Sequence, residues 1–132
     1  MSGTLYLVAT PIGNLEDITL RAVRILGEVQ LIAAEDTRRT ARLLRHYGIT
    51  TRTTSLHEHN ERKKTPTLVA QLLTGDSIAL LSDAGTPIVS DPGLLLVRQS
   101  LDAGIPVVAL PGACAVTTAL VSSGAPANSF TF

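Results

Sequence analysis

A single cysteine, Cys114, set in an apolar run, gives the chain no means of building a disulfide or a cysteine-based metal cluster of its own. That fits a reducing, cytoplasmic home. No stretch approaches the roughly 18 apolar residues that a membrane span needs, and the N-terminal MSGTLYLVATPIG lacks the basic start of an export signal. Membrane insertion and export are both set aside. Aromatics are scarce, two tyrosines and two phenylalanines, so no platform for stacking bases is written along the chain. Two nucleotide fingerprints are missing as well. There is no G-x-G-x-x-G after a strand and no G-x-x-x-x-G-K-[ST], which disfavours a dinucleotide fold of the common kind and a P-loop. A G-x-S-x-G nucleophile elbow is absent too.

What is present describes a folded chain. At 132 residues, with 45% hydrophobic and 17% charged residues, one compact domain is expected and disorder is not. The formal net charge is zero, yet residues 1–64 hold ten of the eleven Lys+Arg and seven of the eleven Asp+Glu. The second half is correspondingly acidic, so one half is suited to an anion and the other is not.

Five β-prone runs alternate with helical patterns. TLYLVAT (4–10), VQLIAA (29–34), TTSLH (53–57), SIALLS (77–82) and IPVVAL (105–110) read as strands, several of them apolar on both faces. Helices are predicted near 18–27, 37–47, 60–74, 93–103 and 113–123, with Gly48, Gly75 and Gly104 ending the second, third and fourth. Strands without a polar face, separated by helices, indicate a mainly parallel sheet covered on both sides. The expected fold is therefore a Rossmann-like three-layer α/β/α domain with a five-stranded sheet. The final SFTF carries both phenylalanines and reads as the start of a strand or connector, as in one half of a longer protein.

In an open parallel sheet, ligands bind beyond the carboxyl ends of the strands. Three loops rich in Gly and Pro fall there: TPIGNLEDIT (10–19), DAGTPIVSDPG (83–93) and PGACA (111–115). Pro fixes φ and Gly removes the side chain, so such loops bring backbone groups close to a ligand and hold them still. Ser90-Asp91-Pro92 reads as an ordinary helix start, a capping side chain followed by Pro at the first helical position. Asp83 directly follows a strand and has two readings, a ligand contact in the crevice or part of a plain turn. PGACA is similarly either a ligand loop or a strand-to-helix turn. Glu35 and Asp36 end the second strand beside the same crevice, with capping of the next helix as the plainer role for Asp36.

The basic half centres on AEDTRRTARLLRHYG (34–48). Arg38, Arg42 and Arg45 share a helical stripe with Arg39 beside it, while Ala41, Leu43, Leu44, Tyr47 and Gly48 are expected to face the core. Alone, such a stripe is a solvated face. HEHNERKK (57–64) adds Arg62, Lys63 and Lys64, and two basic clusters point toward a phosphate-backbone partner. His57-x-His59 with Glu61 offers a strand-face pair but no third strong ligand, so a solvent- or RNA-facing pair is expected and no metal.

Taken together, LYLVATPIGNLEDIT, AEDTR, SLHEHNE, SDAGTPIVSDPG and PGACAVTTALVSSG resemble, in order and spacing, the N-terminal half of the small-subunit ribosomal RNA methyltransferase I group, within the tetrapyrrole (corrin/porphyrin) methylase superfamily. The resemblance implies S-adenosyl-L-methionine as methyl donor and a cytidine ribose 2′-hydroxyl of 16S rRNA in the small ribosomal subunit as acceptor. It also implies a homodimer of two-domain chains, with residues 1–132 as the N-terminal domain and the C-terminal domain absent. By position, Thr10, Pro11, Ile12 and Gly13, then Asp83, Ala84, Gly85, Thr86 and Pro87, then Pro111, Gly112 and Ala113, would form this domain's share of the cofactor pocket. PGACA departs from the superfamily's commoner PG-x-S-A and so lacks one hydroxyl. Glu35, Asp36 and Asp83 are the candidates for a catalytic base or orienting acceptor, with His57 or His59 next. Arg38, Arg39, Arg42, Arg45, His57, His59, Arg62 and Lys63 would face the RNA. A relative acting on a tetrapyrrole or another small substrate, and a non-catalytic fragment that docks on RNA or dimerises, remain the alternative readings.

Overall fold

The structure is a computed structural model that describes residues 1–89 and 92–132. Five strands and five helices alternate: β1 (Leu5–Val8), α1 (Leu20–Glu28), β2 (Leu31–Ala34), α2 (Thr37–His46), β3 (Thr53–Ser55), α3 (Glu61–Leu73), β4 (Ile78–Leu81), α4 (Leu94–Asp102), β5 (Val107–Leu110) and α5 (Ala115–Ser122). The strands pair in the order β3-β2-β4-β1-β5 and all four pairings are parallel. The expected three-layer α/β/α sandwich is what forms.

Strand side chains alternate between two cores, as the pleat requires. Leu5, Leu31, Ile78 and Leu80 enter the layer that Leu68 and Leu72 of α3 and Leu96 of α4 cover. Val8, Ile32, Ala79 and Leu81 enter the opposite layer, under Ala22, Ile25 and Leu26 of α1 and Leu44 of α2. Every residue of β2 and β4 is buried, which explains why these runs carry no polar face. α5 is the exception among the helices, since none of its residues is buried.

This strand order decides where a ligand can sit. From β1 the chain crosses to α1 on one face, whereas from β4, its neighbour in the sheet, it crosses to α4 on the other. Two adjacent strands whose outgoing loops part to opposite faces leave a crevice at their carboxyl ends, the topological switch point. The loops after β1 and β4 flank it.

Three local expectations are corrected. In α2 the core positions are Thr40, Leu43 and Leu44, while Ala41 and Gly48 are exposed, so the helix is rotated by about one residue from the phase read in its sequence. The helix predicted to begin at Pro92 starts at Leu94 with Gly93 as its cap, at φ 119°, and the Glu61 Oε2 atom of α3 accepts the Gly93 N–H at 3.0 Å. The cap assigned to Ser90 and Asp91 lies outside the described residues. His57 and His59 do not share a strand face, because β3 ends at Ser55 and both histidines sit in the turn that leads to α3.

Candidate functional site

The three Gly/Pro loops are tied to one another at the switch point. Thr10 and Gly85 exchange two backbone hydrogen bonds, each 3.0 Å, forming an isolated antiparallel bridge across an otherwise parallel sheet. Gly85 is suited to this place twice over: its φ is 79°, and a Cβ there would lie 3.3 Å from Ile12 Cγ2. The Thr86 hydroxyl donates to the Ala113 carbonyl at 3.1 Å, which joins the second loop to the third. Gly112 then packs against Ala9 so closely that a Cβ would come within 2.7 Å of the alanine methyl. Thr10, Gly85, Thr86, Gly112 and Ala113 thus share one small region, with Pro11, Ile12, Gly13, Ala84, Pro87 and Pro111 as their chain neighbours.

Backbone strain gathers in the same place. Ile88, in the loop after β4, has φ 78° and packs its side chain against the core of the α3 and α4 face. A β-branched residue there costs about 1–3 kcal/mol and persists only where its surroundings hold it. The loop after β1 is shaped more gently. Asn14 Oδ1 accepts the Glu16 N–H at 2.9 Å, the Tyr47 hydroxyl of α2 donates to the Leu15 carbonyl, and Thr19 caps α1 by accepting from Ala22 N at 3.0 Å.

The loop 10–19 separates two concavities. On its α2 side a cleft of ≈ 190 Å³ is walled by Thr10, Pro11, Gly13, Arg39, Arg42 and Asp83 among others. On its α5 side a second, of ≈ 420 Å³, is walled by Ile12, Glu16, Asp17, Ile18, Ala113 and Thr118 among others.

The three candidate acids stand together and brace the ends of β2 and β4. Asp83 Oδ1 accepts the Asp36 N–H at 3.0 Å, and Glu35 Oε1 receives the Asp83 N–H at 3.4 Å. Asp36 caps α2, its Oδ1 accepting from Arg38 N at 2.9 Å. That amide holds the Asp36 carboxyl below its ordinary 3.8, against partial desolvation and with help from the Arg38 guanidinium 3.5 Å away. Of the three, only Asp83 lines the α2-side cleft.

A depressed carboxyl stabilises the fold above its unfolded value and loses that contribution as pH falls through the folded value. Asp36→Ala is therefore expected to lower the melting temperature at neutral pH. The gap between variant and parent should close as the pH falls below 3.8, in a pH series of thermal melts. A gap independent of pH would show that the charge of Asp36 plays no part.

The basic residues divide into three groups, which helical spacing alone did not reveal. Arg39 and Arg42 line the α2-side cleft, whereas Arg38 and Arg45 do not. Lys63 lies with Arg52 in a groove along the edge strand β3, and Arg62 with His59 and Arg98 between α3 and α4. Lys64 is engaged within the chain, its Nζ donating to Thr54 Oγ1, Ser55 O and Ser55 Oγ at 2.8–3.1 Å. His57 Nδ1 accepts the His59 N–H at 3.2 Å, and no group of three or more potential metal ligands occurs among the described residues. No described helix is long and apolar enough to cross a membrane.

Two features of the site left no clear mark in the sequence. Thr10 is 4% exposed, yet its hydroxyl has no hydrogen-bond partner. Cys114 stands at the N-cap of α5 without a side-chain cap bond, and the amides of Thr117 and then Val116 draw its thiol below the ordinary 9.0.

Comparison with known proteins agrees with this architecture. The family profile "Tetrapyrrole (Corrin/Porphyrin) Methylases" matches residues 4–131. Proteins called "Ribosomal RNA small subunit methyltransferase I" are similar along nearly the whole chain: that of Vibrio cholerae serotype O1 is 59% identical over 128 residues, 97% of this chain and 44% of its own length. Its Haemophilus influenzae counterpart is 58% identical over 132 residues, 100% of this chain and 47% of its own. The chain thus spans about half the length of the curated relatives it matches. Among solved structures, the uroporphyrin-III-C-methyltransferase from Thermus thermophilus superposes with a TM-score of 0.72 at 26% identity, covering 96% of this chain and 55% of that one.

Proposed function

Since the chain belongs to the tetrapyrrole (corrin/porphyrin) methylases, we propose that it is the N-terminal domain of an S-adenosyl-L-methionine-dependent enzyme that methylates a cytidine ribose 2′-hydroxyl in 16S rRNA. The observation that carries this reading is the tie between the Thr10, Gly85 and Ala113 loops at the switch point, beside Arg39 and Arg42, which make no ion pair among the described residues. The names of the relatives support rRNA as the substrate. The working form is a cytoplasmic homodimer of two-domain chains. Exposed Val121 on α5, a helix with no buried residue, and Phe130 and Phe132 beyond it supply apolar surface for such contacts.

The residues fit this donor. The missing Cβ at Gly13, where nothing stands within 4 Å, leaves room for close approach of a ligand to the chain, Gly85 and Gly112 let the loops pack on one another, and loop carbonyls accommodate a positive sulfonium. The amides that open α5 suit a carboxylate. S-Adenosyl-L-methionine, when bound, supplies an already activated methyl group, so the chain's task is chiefly alignment. Residues 10–13, 83–87 and 111–113 hold the donor. Asp83, one oxygen fixed by the Asp36 N–H, orients the acceptor hydroxyl and takes its proton through the other. Glu35 and Asp36 hold the loop ends that aim it.

Calorimetric titration of S-adenosylhomocysteine tests the reading, on this chain and on one extended to the length of its relatives. Binding by the extended chain is the expected result. Absence of binding by both, with both shown to be folded, would overturn it. The likeness to a uroporphyrin methyltransferase favours a second reading, a tetrapyrrole substrate. Uroporphyrinogen turnover without RNA binding would select it.

A further inference from the structure

We propose that the α2-side cleft is an anion subsite that grips a phosphodiester beside the acceptor ribose, with Arg39 and Arg42 as the clamp and the Thr10 hydroxyl as a third donor. The inference rests on the RNA reading above and assigns a place to the substrate strand, on the opposite side of the 10–19 loop from Ala113.

Three observations converge. Arg39 and Arg42 are i, i+3 neighbours on α2, fixed from beneath by buried Thr40 and Leu43, and neither makes an ion pair among the described residues. Asp83 is the one carboxylate in the wall, and its Oδ1 is already occupied by the Asp36 N–H. The cleft therefore presents more positive than negative charge, in the planar form that matches phosphate oxygens.

The third observation is the buried hydroxyl. Both backbone groups of Thr10 are used in the bridge to Gly85, while its Oγ1 is left without a partner. A polar group buried unpaired costs about 1–3 kcal/mol and calls for a reason, of which completion by a ligand at a cleft is one. The other orphan, Ser100 Oγ, lies within α4 and borders no cavity described here. A volume of ≈ 190 Å³ is below the roughly 300–1,000 Å³ typical of whole-ligand pockets, and suits a phosphate with part of its sugar. In this assignment the backbone of residues 10–13 stays with the donor and the Thr10 hydroxyl goes to the acceptor strand.

The experiment uses the full-length protein and a short single-stranded RNA carrying the target cytidine, followed by fluorescence anisotropy across a salt series. R39Q/R42Q is expected to weaken binding about tenfold and to lower the log–log salt slope by about 1.4, the value for two lost contacts on a single strand. Thr10→Val keeps shape and charge. It is expected to weaken RNA binding several-fold with an unchanged salt slope and an unchanged or higher melting temperature, while Thr10→Ser binds as the parent does.

Unaltered RNA affinity in Thr10→Val, or a loss of S-adenosylhomocysteine affinity instead, overturns the assignment. So does a lower melting temperature in Thr10→Val, which would mean that the hydroxyl is bonded within the fold. Failure of the parent protein to bind RNA would remove the RNA reading itself, whereas binding that ignores Arg39 and Arg42 removes only the subsite.

Discussion

Gly85→Val is expected to weaken S-adenosylhomocysteine binding by the extended protein about tenfold or more, an effect of at least about 1.4 kcal/mol, while the sheet stays folded. Two costs meet at this residue. Its φ of 79° is unfavourable for any β-branched side chain, and the new Cβ would stand 3.3 Å from Ile12 Cγ2 with its methyls pressing further. Relief requires the loop after β4 to withdraw from the loop after β1, and both Thr10–Gly85 hydrogen bonds then lengthen. Calorimetry gives the affinity, and far-UV circular dichroism with a thermal melt reports the fold. Undiminished affinity would make the Thr10–Gly85 bridge a detail of the scaffold with no bearing on the donor.

Leu80→Ala acts at the other extreme, on stability alone. Leu80 is 1% exposed on β4, which lies between β2 and β1, and its Cδ2 fills the space in which a Cβ on Gly93 would come within 2.6 Å. Removing a fully buried leucine from such a site costs about 2–5 kcal/mol, because rigid strands on both sides prevent collapse into the void. A fall in melting temperature of roughly 10 °C or more is expected. A change within about 0.5 kcal/mol would be that of a surface position and would contradict the packing of this strand.

The fold was legible because β2 and β4 are apolar at every position and helices of regular length separate the strands. Strand order was not, since the insertion of β4 between β2 and β1 depends on pairings made far apart in sequence. Helical phase was read one residue off in α2 because apolar Ala41 is the residue that pattern favours for a core, whereas the fold buries Thr40 and leaves Ala41 exposed. The loops that meet at the switch point could be found from their Gly and Pro content. Their mutual bonds could not, as Thr86 to Ala113 spans 27 residues and Asp83 to Asp36 spans 47. The basic residues were read as two clusters, yet Lys64 of the second is spent on the end of β3, and of the four arginines on α2 only Arg39 and Arg42 line the cleft.

α5 contributes nothing to either core, and its thermodynamic consequence is local. In the 132-residue chain its amides should exchange with deuterium by fraying of that helix alone, while those of β4 wait for global opening. Ala113, at its start, is also where Thr86 fastens the third loop. A ligand that pins this corner must first quench the fraying, so its measured affinity is the intrinsic one reduced by the fraction of molecules in which the corner is already ordered. Affinity at this end of the sheet can thus be tuned from the far end of α5, by residues such as Ser122 that alter helix persistence without meeting the ligand.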